Sequence, residues 1–553
     1  MLTYDIKRRG EDPLYVFLYK CIKHDIETGV LQPHEKLPSK RSLAQNLGIG
    51  VITVEAAYAQ LIAEGYLYTE PKRGYFVCNI EPLEGERSNP AQPLPSPTAS
   101  AASTARNRPT PAPWLNAYAN TQRRYATAPA RSTASKPPRF DLSSGIVSAQ
   151  SFPFSTWSKT LRDTIALEPK SALLAPADAQ GNERLRRALA AHLASARSLA
   201  VDASNIVIAP NIDTLCGIIV QLSHNASSVA VADPERCATS SIYAGKGLRV
   251  DRIPLDHEGI DVARLDDTDA SLLHIAPSGH FPTGIVTSAG RRRELLAWAT
   301  DADNRFIIED DRDAELRLAG APVPPLQSID AHERVIYMSA LPSVFGDAVK
   351  LAFMVLPACL AQRYRQAQDM PSCSISTIEQ IALARFIEEG ELTRLVNRTK
   401  TRCRATRNTF INALKKTPAA AHLRFGETNA GPSCILSIDA AASSARRGNP
   451  GPARFNPAQA PNHKAPEASR PSEPTPEQAI ENALVAAIAR QDIAIKPLSA
   501  WRADATDFSA PWENAPTQAR RITCRLVVAY AALPESQARA AAEALYRAIA
   551  PFL

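Results

Sequence analysis

The sequence predicts a multidomain protein: a small helical unit ending in a β-hairpin, then a larger layered α/β domain with a small C-terminal α+β part. Three observations support this prediction. The 553 residues are too many for a single hydrophobic core. Apolar residues recur at helical spacing between residues 13 and 64. After residue 140, short apolar strands alternate with helical stretches, which is typical of a layered α/β sheet.

The bulk composition narrows the class of protein. Hydrophobic residues make up 45% of the chain and charged residues 22%, which is ordinary for a soluble globular protein. No run approaches the roughly 18 apolar residues of a membrane helix, and the N-terminus lacks the apolar core of a secretory signal. The nine cysteines form no CxxC pair and have no zinc-finger spacing. We therefore expect a cytoplasmic protein with reduced thiols, without a metal site or a membrane partner.

The pattern of apolar residues and glycines in the first unit predicts three helices and a hairpin. The helices cover residues 14–26, 39–48 and 51–64, and the two strands, residues 66–68 and 75–77, flank a turn that contains Gly74. A helix, a short turn, a second helix and a β-wing form an arrangement that reads DNA. In that arrangement the last helix enters a major groove and the wing touches the backbone.

The segment LPSKRSLAQNLGIGVITVEAAYAQLIAEGYLYTEPKRGYFV resembles the GntR-type winged helix-turn-helix over its whole length and without a gap. The resemblance implies contacts with double-stranded DNA from the start of the second helix, the start of the third helix and the wing. The residues at or beside these positions are Ser39, Lys40, Arg41, Gly50, Thr53, Lys72, Arg73 and Gly74.

Two departures weaken the DNA-reading helix. Gly50 and Val51 stand where the family has Ser-Arg, and Glu55 stands where an arginine is frequent. A carboxylate cannot donate to phosphate or guanine and repels nearby phosphates. Residues 1–80 hold ten Lys/Arg and nine Asp/Glu, so their net charge is only +1. The alternative is a winged helix that serves protein contacts or dimerisation.

Composition divides the chain into a DNA-binding domain at residues 1–80, a disordered Pro/Ala-rich linker at 81–139 and a third region at 140–553. From Arg87 to Arg139 the linker carries eight basic residues and no acidic one. A solvated tether is the simpler interpretation. The alternative is a tether that adds salt-sensitive phosphate contacts.

Within the third region, short apolar runs predict buried strands at residues 206–208, 229–231, 272–275 and 306–308. Asp310 and Asp311 follow the last of these runs, which indicates a site at the carboxyl edge of the sheet. Residues 335–338 and 351–356 predict two further buried strands. The loop between them is a second candidate site, and Lys350 is its one cation, which we expect to lie beside a buried strand.

Four segments resemble the fold-type I aminotransferase domain, in the order of that family: GNERLRRALAAHLASARSL, IAPSGHFPTGIVTSAGRRRELLAWA, FIIEDDRDAELR and VIYMSALPSVFGDAVKLAFMVLP. With the first unit, the whole chain resembles a MocR-subfamily GntR regulator. The resemblance implies a large part at about 140–400 and a small part at about 401–553, interrupted by a Pro/Ala-rich disordered insertion at 440–478. It also implies a homodimer and pyridoxal phosphate as cofactor, with Asp310 facing the pyridine nitrogen.

The expected cofactor site departs from the family at many positions. Ser343 stands at the position of the Schiff-base lysine, and Lys350 replaces the phosphate-binding arginine, keeping the charge but losing the bidentate fork. The other replacements are Pro342, Arg312 for a cofactor-binding tyrosine, Asn211-Ile212-Asp213 in the phosphate turn, Arg236 for a stacking tyrosine, Gly279 and His280. We therefore predict no catalytic residue and no covalent cofactor. The cofactor-binding candidates are Asp310, Ser343 and Lys350.

The sequence thus predicts a DNA-binding transcription regulator. Its aminotransferase-like domain would hold a homodimer and sense an effector, with Lys350 as anchor for a small anion. One alternative is an enzyme or regulator that uses pyridoxal phosphate, with Lys350 as the substitute lysine. Another is a purely structural dimer. Asp310 also has a second interpretation, because residues 309–313 (EDDRD) could form a structural ion cluster.

Overall fold

A computed structural model describes most of the chain outside the predicted linker and insertion. The described residues are 4, 12–70, 73–78, 138–143, 152–176, 178–223, 226–235, 239–320, 323–367, 372–426, 429–441, 475–502 and 521–553. Residues 81–137 of the predicted linker, Lys72 of the predicted wing and Arg236 of the predicted cofactor site lie outside them.

The N-terminal domain is a three-helix unit with a three-stranded antiparallel sheet, as the sequence predicts. Its elements are α1 (Leu14–Glu27), β1 (Lys36–Leu37), α2 (Lys40–Leu47), α3 (Val51–Ala63), β2 (Leu67–Glu70) and β3 (Gly74–Val77), with sheet order β1-β3-β2. The Ser39 hydroxyl caps α2 by accepting a hydrogen bond from the Ser42 N–H at 3.2 Å. Leu18, Ile22, Tyr58 and Leu61 form the centre of the core.

The large part is built on a seven-stranded sheet with the order β5-β11-β10-β9-β8-β6-β7. The strands are β5 (Ile206–Ala209), β6 (Ser228–Asp233), β7 (Arg249–Pro254), β8 (Leu272–Ile275), β9 (Phe306–Asp310), β10 (Val335–Ala340) and β11 (Ala352–Val355). Only β11 runs antiparallel to its neighbours. Helices cover both faces, so the strands read as continuous apolar runs. The predicted strands are therefore confirmed.

The helices of this part begin at or close to residues that suit a helix start. They are α4 (Phe154–Leu167), α5 (Lys170–Leu174), α6 (Glu183–Arg197), α7 (Ile212–Leu222), α8 (Thr239–Gly245), α9 (Val262–Asp266), α10 (Ala289–Thr300), α11 (Pro342–Phe345), α12 (Ala358–Gln366), α13 (Thr377–Glu388) and α14 (Glu391–Lys415). Asn182, Asn211 and Ser288 cap α6, α7 and α10 with their side chains.

The small part is a four-stranded sheet covered by helices. It contains β12 (Leu423–Phe425), β13 (Ser433–Ala441), α15 (Pro476–Ala489), β14 (Ile493–Ala494), β15 (Lys496–Pro497), β16 (Arg521–Ala529) and α16 (Glu535–Ile549). The short β4 (Phe140–Asp141) pairs in parallel with β14, and Phe140 and Leu142 lie in the small part's core. The large part therefore does not begin at residue 140 as expected from the sequence.

The insertion predicted at residues 440–478 includes residues at both ends that belong to regular elements. Strand β13 continues through Ala441, and α15 begins at Pro476. Thr475 and Gln478 form a capping box, in which each side chain accepts the other residue's backbone N–H. This Thr-x-x-Gln pattern was readable in the sequence. Residues 442–474 lie outside the described chain.

The DNA-binding domain contacts the large part through the turn after α3. The Ala289 N–H at the start of α10 donates to the Glu64 carbonyl at 3.1 Å, and Ala289 packs into the core of the N-terminal domain. A Cβ atom added to Gly65 would lie 2.8 Å from the Ser288 Cα. We call this contact the docking interface. No helix in the described part of the chain is long and apolar enough to cross a membrane.

Candidate functional sites

The start of α3 is the most exposed part of the predicted DNA-reading helix. Val51 is 41% exposed and Ile52 is 82% exposed, whereas Val54, Ala57 and Tyr58 are buried in the domain core. Gly50 caps the helix with extended backbone and no side-chain hydrogen bond. The helix therefore presents its first turn outward, and the docking interface lies at its other end.

The cations expected to contact DNA have different environments. Arg41 is exposed. The Lys40 Nζ lies 2.5 Å from the Glu55 Oε1, and this hydrogen bond raises the pKa of Lys40. Glu55 is thus paired with a cation within its own domain, which corrects the expectation that its charge would repel phosphates unopposed. Arg73 lies 2.5 Å from Glu70 at the wing.

The other predicted DNA-contact residues have local structural roles as well. Ser39 caps α2 with its hydroxyl and is exposed, so the hydroxyl hydrogen can still be donated. Gly74 opens β3 with φ +121°, a conformation that favours glycine. Thr53 is partly exposed in the first turn of α3.

Sequence reasoning missed Ile52 as a surface residue of this helix. The pattern that could have found Ile52 is its spacing of three from Glu55 and seven from Ala59, which places these three side chains on one face. All three are exposed.

In the large part, Asp310 lies at the carboxyl end of β9, as the sequence predicts. Its carboxylate is bound by its own chain. The Arg312 Nε lies 2.9 Å from the Asp310 Oδ1, and the Arg312 Nη2 contacts the other carboxylate oxygen. The His274 Nε2 lies 3.6 Å from the Asp310 Oδ2, and the His274 Nδ1 lies 2.8 Å from the Tyr243 hydroxyl.

These contacts set the charge state of the buried groups. Burial disfavours the Asp310 carboxylate, but Arg312 and His274 outweigh it and hold its pKa well below the usual range. Burial likewise opposes charge on His274, and hydrogen bonding to Asp310 and Cys216 overcomes it, raising its pKa to about 9. Asp310, Arg312 and His274 therefore form a charged network at neutral pH.

His274 gives a prediction for the pH dependence of stability. Its pKa in the folded protein is raised from 6.5 to about 9, so its contribution is complete below pH 6.5 and is lost as the pH rises to about 9. The free energy of unfolding of the parent protein should therefore fall as the pH rises across this range. The fall should be larger than that of His274→Asn by on the order of 3 kcal/mol. Urea denaturation at pH 6 and pH 9.5 measures this difference. Parallel curves for the two proteins would contradict it.

Two of the remaining acidic residues of the EDDRD segment, Asp311 and Glu309, have partners of their own. Asp311 accepts from the Arg197 Nε at 2.8 Å and from the Tyr337 hydroxyl at 2.9 Å. The buried Glu309 accepts from the backbone N–H groups of Leu326 and Gln327 at 2.7 and 3.0 Å. These contacts support the interpretation of the segment as a structural ion cluster.

The turn expected to hold a cofactor phosphate is closed by a side chain. The Asn211 Oδ1 accepts from the Thr214 N–H at 2.8 Å and from the Thr214 hydroxyl at 2.9 Å. Asp213 lies exposed in the first turn of α7. An anion at this helix start would meet a carboxylate, and one backbone donor is already engaged.

The space around Asp310 is small. A cavity of about 40 Å³ is lined by Glu235, His274, His280 and Asp310 among others. A second, of about 10 Å³, is lined by Gly279, Asp310 and Arg312 among others. Pockets for drug-sized ligands have roughly 300–1,000 Å³. The described residues therefore do not fit pyridoxal phosphate, because the carboxylate that would face its ring is occupied by Arg312.

Lys350 does not have the environment expected from the sequence. Strand β11 begins at Ala352, and Lys350 is exposed before it. Lys350 therefore lies next to a buried strand, as expected, but its side chain faces solvent, and it does not line either cavity at Asp310. Ser343 lies in α11, in the loop between β10 and β11.

Comparisons with known proteins agree with both halves of this description. Residues 14–77 match the model of the bacterial regulatory proteins of the GntR family. The HTH-type transcriptional regulator YdeL of Bacillus subtilis is 28% identical over 437 residues, covering 79% of this chain and 86% of YdeL. The probable rhizopine catabolism regulatory protein MocR of Rhizobium meliloti is 26% identical over 432 residues, covering 78% and 82%.

Solved structures show the fold of the region that follows the DNA-binding domain and the linker. The kynurenine aminotransferase of Pyrococcus horikoshii matches with a TM-score of 0.56 and 17% identity, over 78% of this chain and 94% of the enzyme. A GntR-type helix-turn-helix joined to an aminotransferase-like domain defines a class of DNA-binding transcription regulators. Residues 14–77 are thus a GntR-type domain, and the chain is similar over most of its length to MocR-type regulators.

Proposed function

We propose that the aminotransferase-like domain of this transcription regulator holds a homodimer and senses a small effector, without covalent pyridoxal phosphate. The observation that carries the proposal is the bidentate ion pair between Arg312 and Asp310. In a pyridoxal phosphate site this carboxylate must be available to the pyridine nitrogen. Here a guanidinium of the same chain neutralises it, and the ion pair needs no ligand.

The homodimer is supported by apolar side chains on the surface of two helices. Phe154, Ile165 and Leu167 of α4 are 64%, 57% and 68% exposed, and Leu174 of α5 is 83% exposed. Several large apolar side chains exposed on two consecutive helices favour a protein contact. Sedimentation analysis of the purified protein measures this oligomeric state.

The effector site that we propose is the cavity at the carboxyl edge of the sheet. Two imidazoles, His274 and His280, line it together with Glu235. The polar groups that line the cavity favour a small polar effector, and this support replaces the anchor expected at Lys350. The small volume indicates a small ligand or an opening of the cavity on binding.

The absorbance spectrum with added pyridoxal phosphate tests the absence of covalent cofactor. The parent protein should show no near-visible band beyond that of the free cofactor, and borohydride reduction should leave no lysine adduct by mass analysis. A stoichiometric adduct on any lysine, Lys350 included, would refute the proposal and favour the enzyme alternative.

A gain-of-function variant sharpens this test. The double substitution Ser343→Lys and Arg312→Tyr supplies the lysine and frees Asp310, so it should acquire a reducible adduct. Ser343→Lys alone is the matched control, since Arg312 remains on the carboxylate, and it should form much less adduct. Equal adduct in the two variants would show that Arg312 does not close the site.

A further inference from the structure

The outward face of α3 has an unusual chemistry for a helix that reads DNA. Its exposed stripe consists of Ile52, Glu55 and Ala59, and Val51 lies exposed beside it. Ile52 is 82% exposed, although burying an isoleucine is normally favourable. Burying such an exposed apolar side chain lowers the free energy, and this would happen when the helix enters the major groove.

The stripe also lacks a positively charged side chain that could donate a hydrogen bond to a base. Glu55 is its one ionisable residue, and Lys40 lies 2.5 Å from it. Gly50 has no side chain, and Val51 and Ile52 have no hydrogen-bonding group. Direct recognition of guanine requires a donor, commonly arginine or lysine. The first turn of this helix therefore has no arginine or lysine to read guanine, and its one side-chain donor is the Thr53 hydroxyl.

The major groove offers one apolar group, the C5 methyl of thymine. We propose that Ile52, assisted by Val51, reads thymine methyl groups in the operator. This inference rests on the DNA-binding function of the domain and adds which feature of the base pairs it recognises. The exposed cations Arg41, Lys36 and Arg73 are placed for phosphate contacts, which supply affinity without sequence information.

Replacing thymine with deoxyuridine tests the inference, because it removes the methyl group and leaves the hydrogen-bonding edge unchanged. The full-length protein is first used to select duplexes from a random pool. Each thymine of the selected site is then replaced singly, and affinity is measured by gel shift. At one or two positions in each half-site, the replacement should weaken binding about fourfold, the value of one buried methyl group.

Ile52→Ala identifies the side chain responsible. It should weaken binding to the thymine site and abolish the penalty for deoxyuridine at the same positions. Ile62→Ala is the matched control, because Ile62 is also exposed on α3, by 36%, but lies at the opposite end. This variant should keep both the affinity and the penalty.

The outcomes separate the inference from the function on which it rests. If the selection yields no preferred sequence, the assignment of sequence-specific DNA binding fails. If a site is selected but no thymine position responds to deoxyuridine, or Ile52→Ala retains the full penalty, the inference about methyl groups is overturned and DNA binding stands.

Discussion

Arg197→Met is expected to destabilise the protein by about 3–5 kcal/mol, because it leaves the Asp311 carboxylate buried without its cation. The two side chains are fully buried and lie 2.7 Å apart. Their pairing fixes the end of β9, where Asp310 and the cavity lie. Urea denaturation followed by tryptophan fluorescence measures the loss.

Two further variants show whether burial causes this effect. Arg187→Met breaks the pair with Glu183 on the same helix, but those side chains are 72% and 60% exposed, so it should cost no more than about 1 kcal/mol. Adding Asp311→Leu to Arg197→Met removes the uncompensated charge and should recover much of the loss. A similar cost for Arg187→Met and Arg197→Met would contradict the role of burial.

Gly65→Ala is expected to separate the DNA-binding domain from the large part. The residue has φ +75°, and an added Cβ would lie 2.8 Å from the Ser288 Cα and Cβ. Left-handed backbone alone costs an alanine roughly 1–2 kcal/mol. The clash adds to this cost, and the domains can relieve it by moving apart. Loss of the bond to the Glu64 carbonyl should make the Ala289 amide exchange hydrogen faster.

Gly29→Ala is a closely matched control for the backbone strain. Gly29 also follows a helix of the same domain and has φ +74°, but an added Cβ meets no atom within 4 Å. This variant should lose similar stability within the domain and keep the slow exchange at Ala289. Equal protection of Ala289 in both variants would mean that the docking interface does not depend on Gly65.

Much of the fold could be predicted from the sequence because its signals are local. The apolar runs of β5, β6, β8 and β9 and the helical spacing in α1 to α3 are visible over a few residues. The pairing of β4 with β14 could not be predicted, since two residues near position 140 meet two near 493. Such a short pairing has no local pattern, and only the packed core of the small part brings it together.

The candidate site likewise has features that the sequence predicts and features that it does not. The sequence identified Asp310 as a position where the family pattern is kept, and Arg312 and Ser343 as positions where it is altered. It could not show that the Arg312 guanidinium turns back onto Asp310, because this depends on side-chain direction at the end of β9. Nor could it show that Lys350 faces solvent, since the apolar run that follows the lysine begins one residue before β11 does.

The docking interface has a consequence for the architecture of the operator. If the docking interface fixes each reading helix to the large part of its subunit, the large parts set the distance between the two reading helices of a homodimer. The protein would then require a fixed spacing between the two half-sites. Operators should tolerate base changes between the half-sites but not an added or removed half-turn of about five base pairs, which turns one half-site to the opposite side of the duplex.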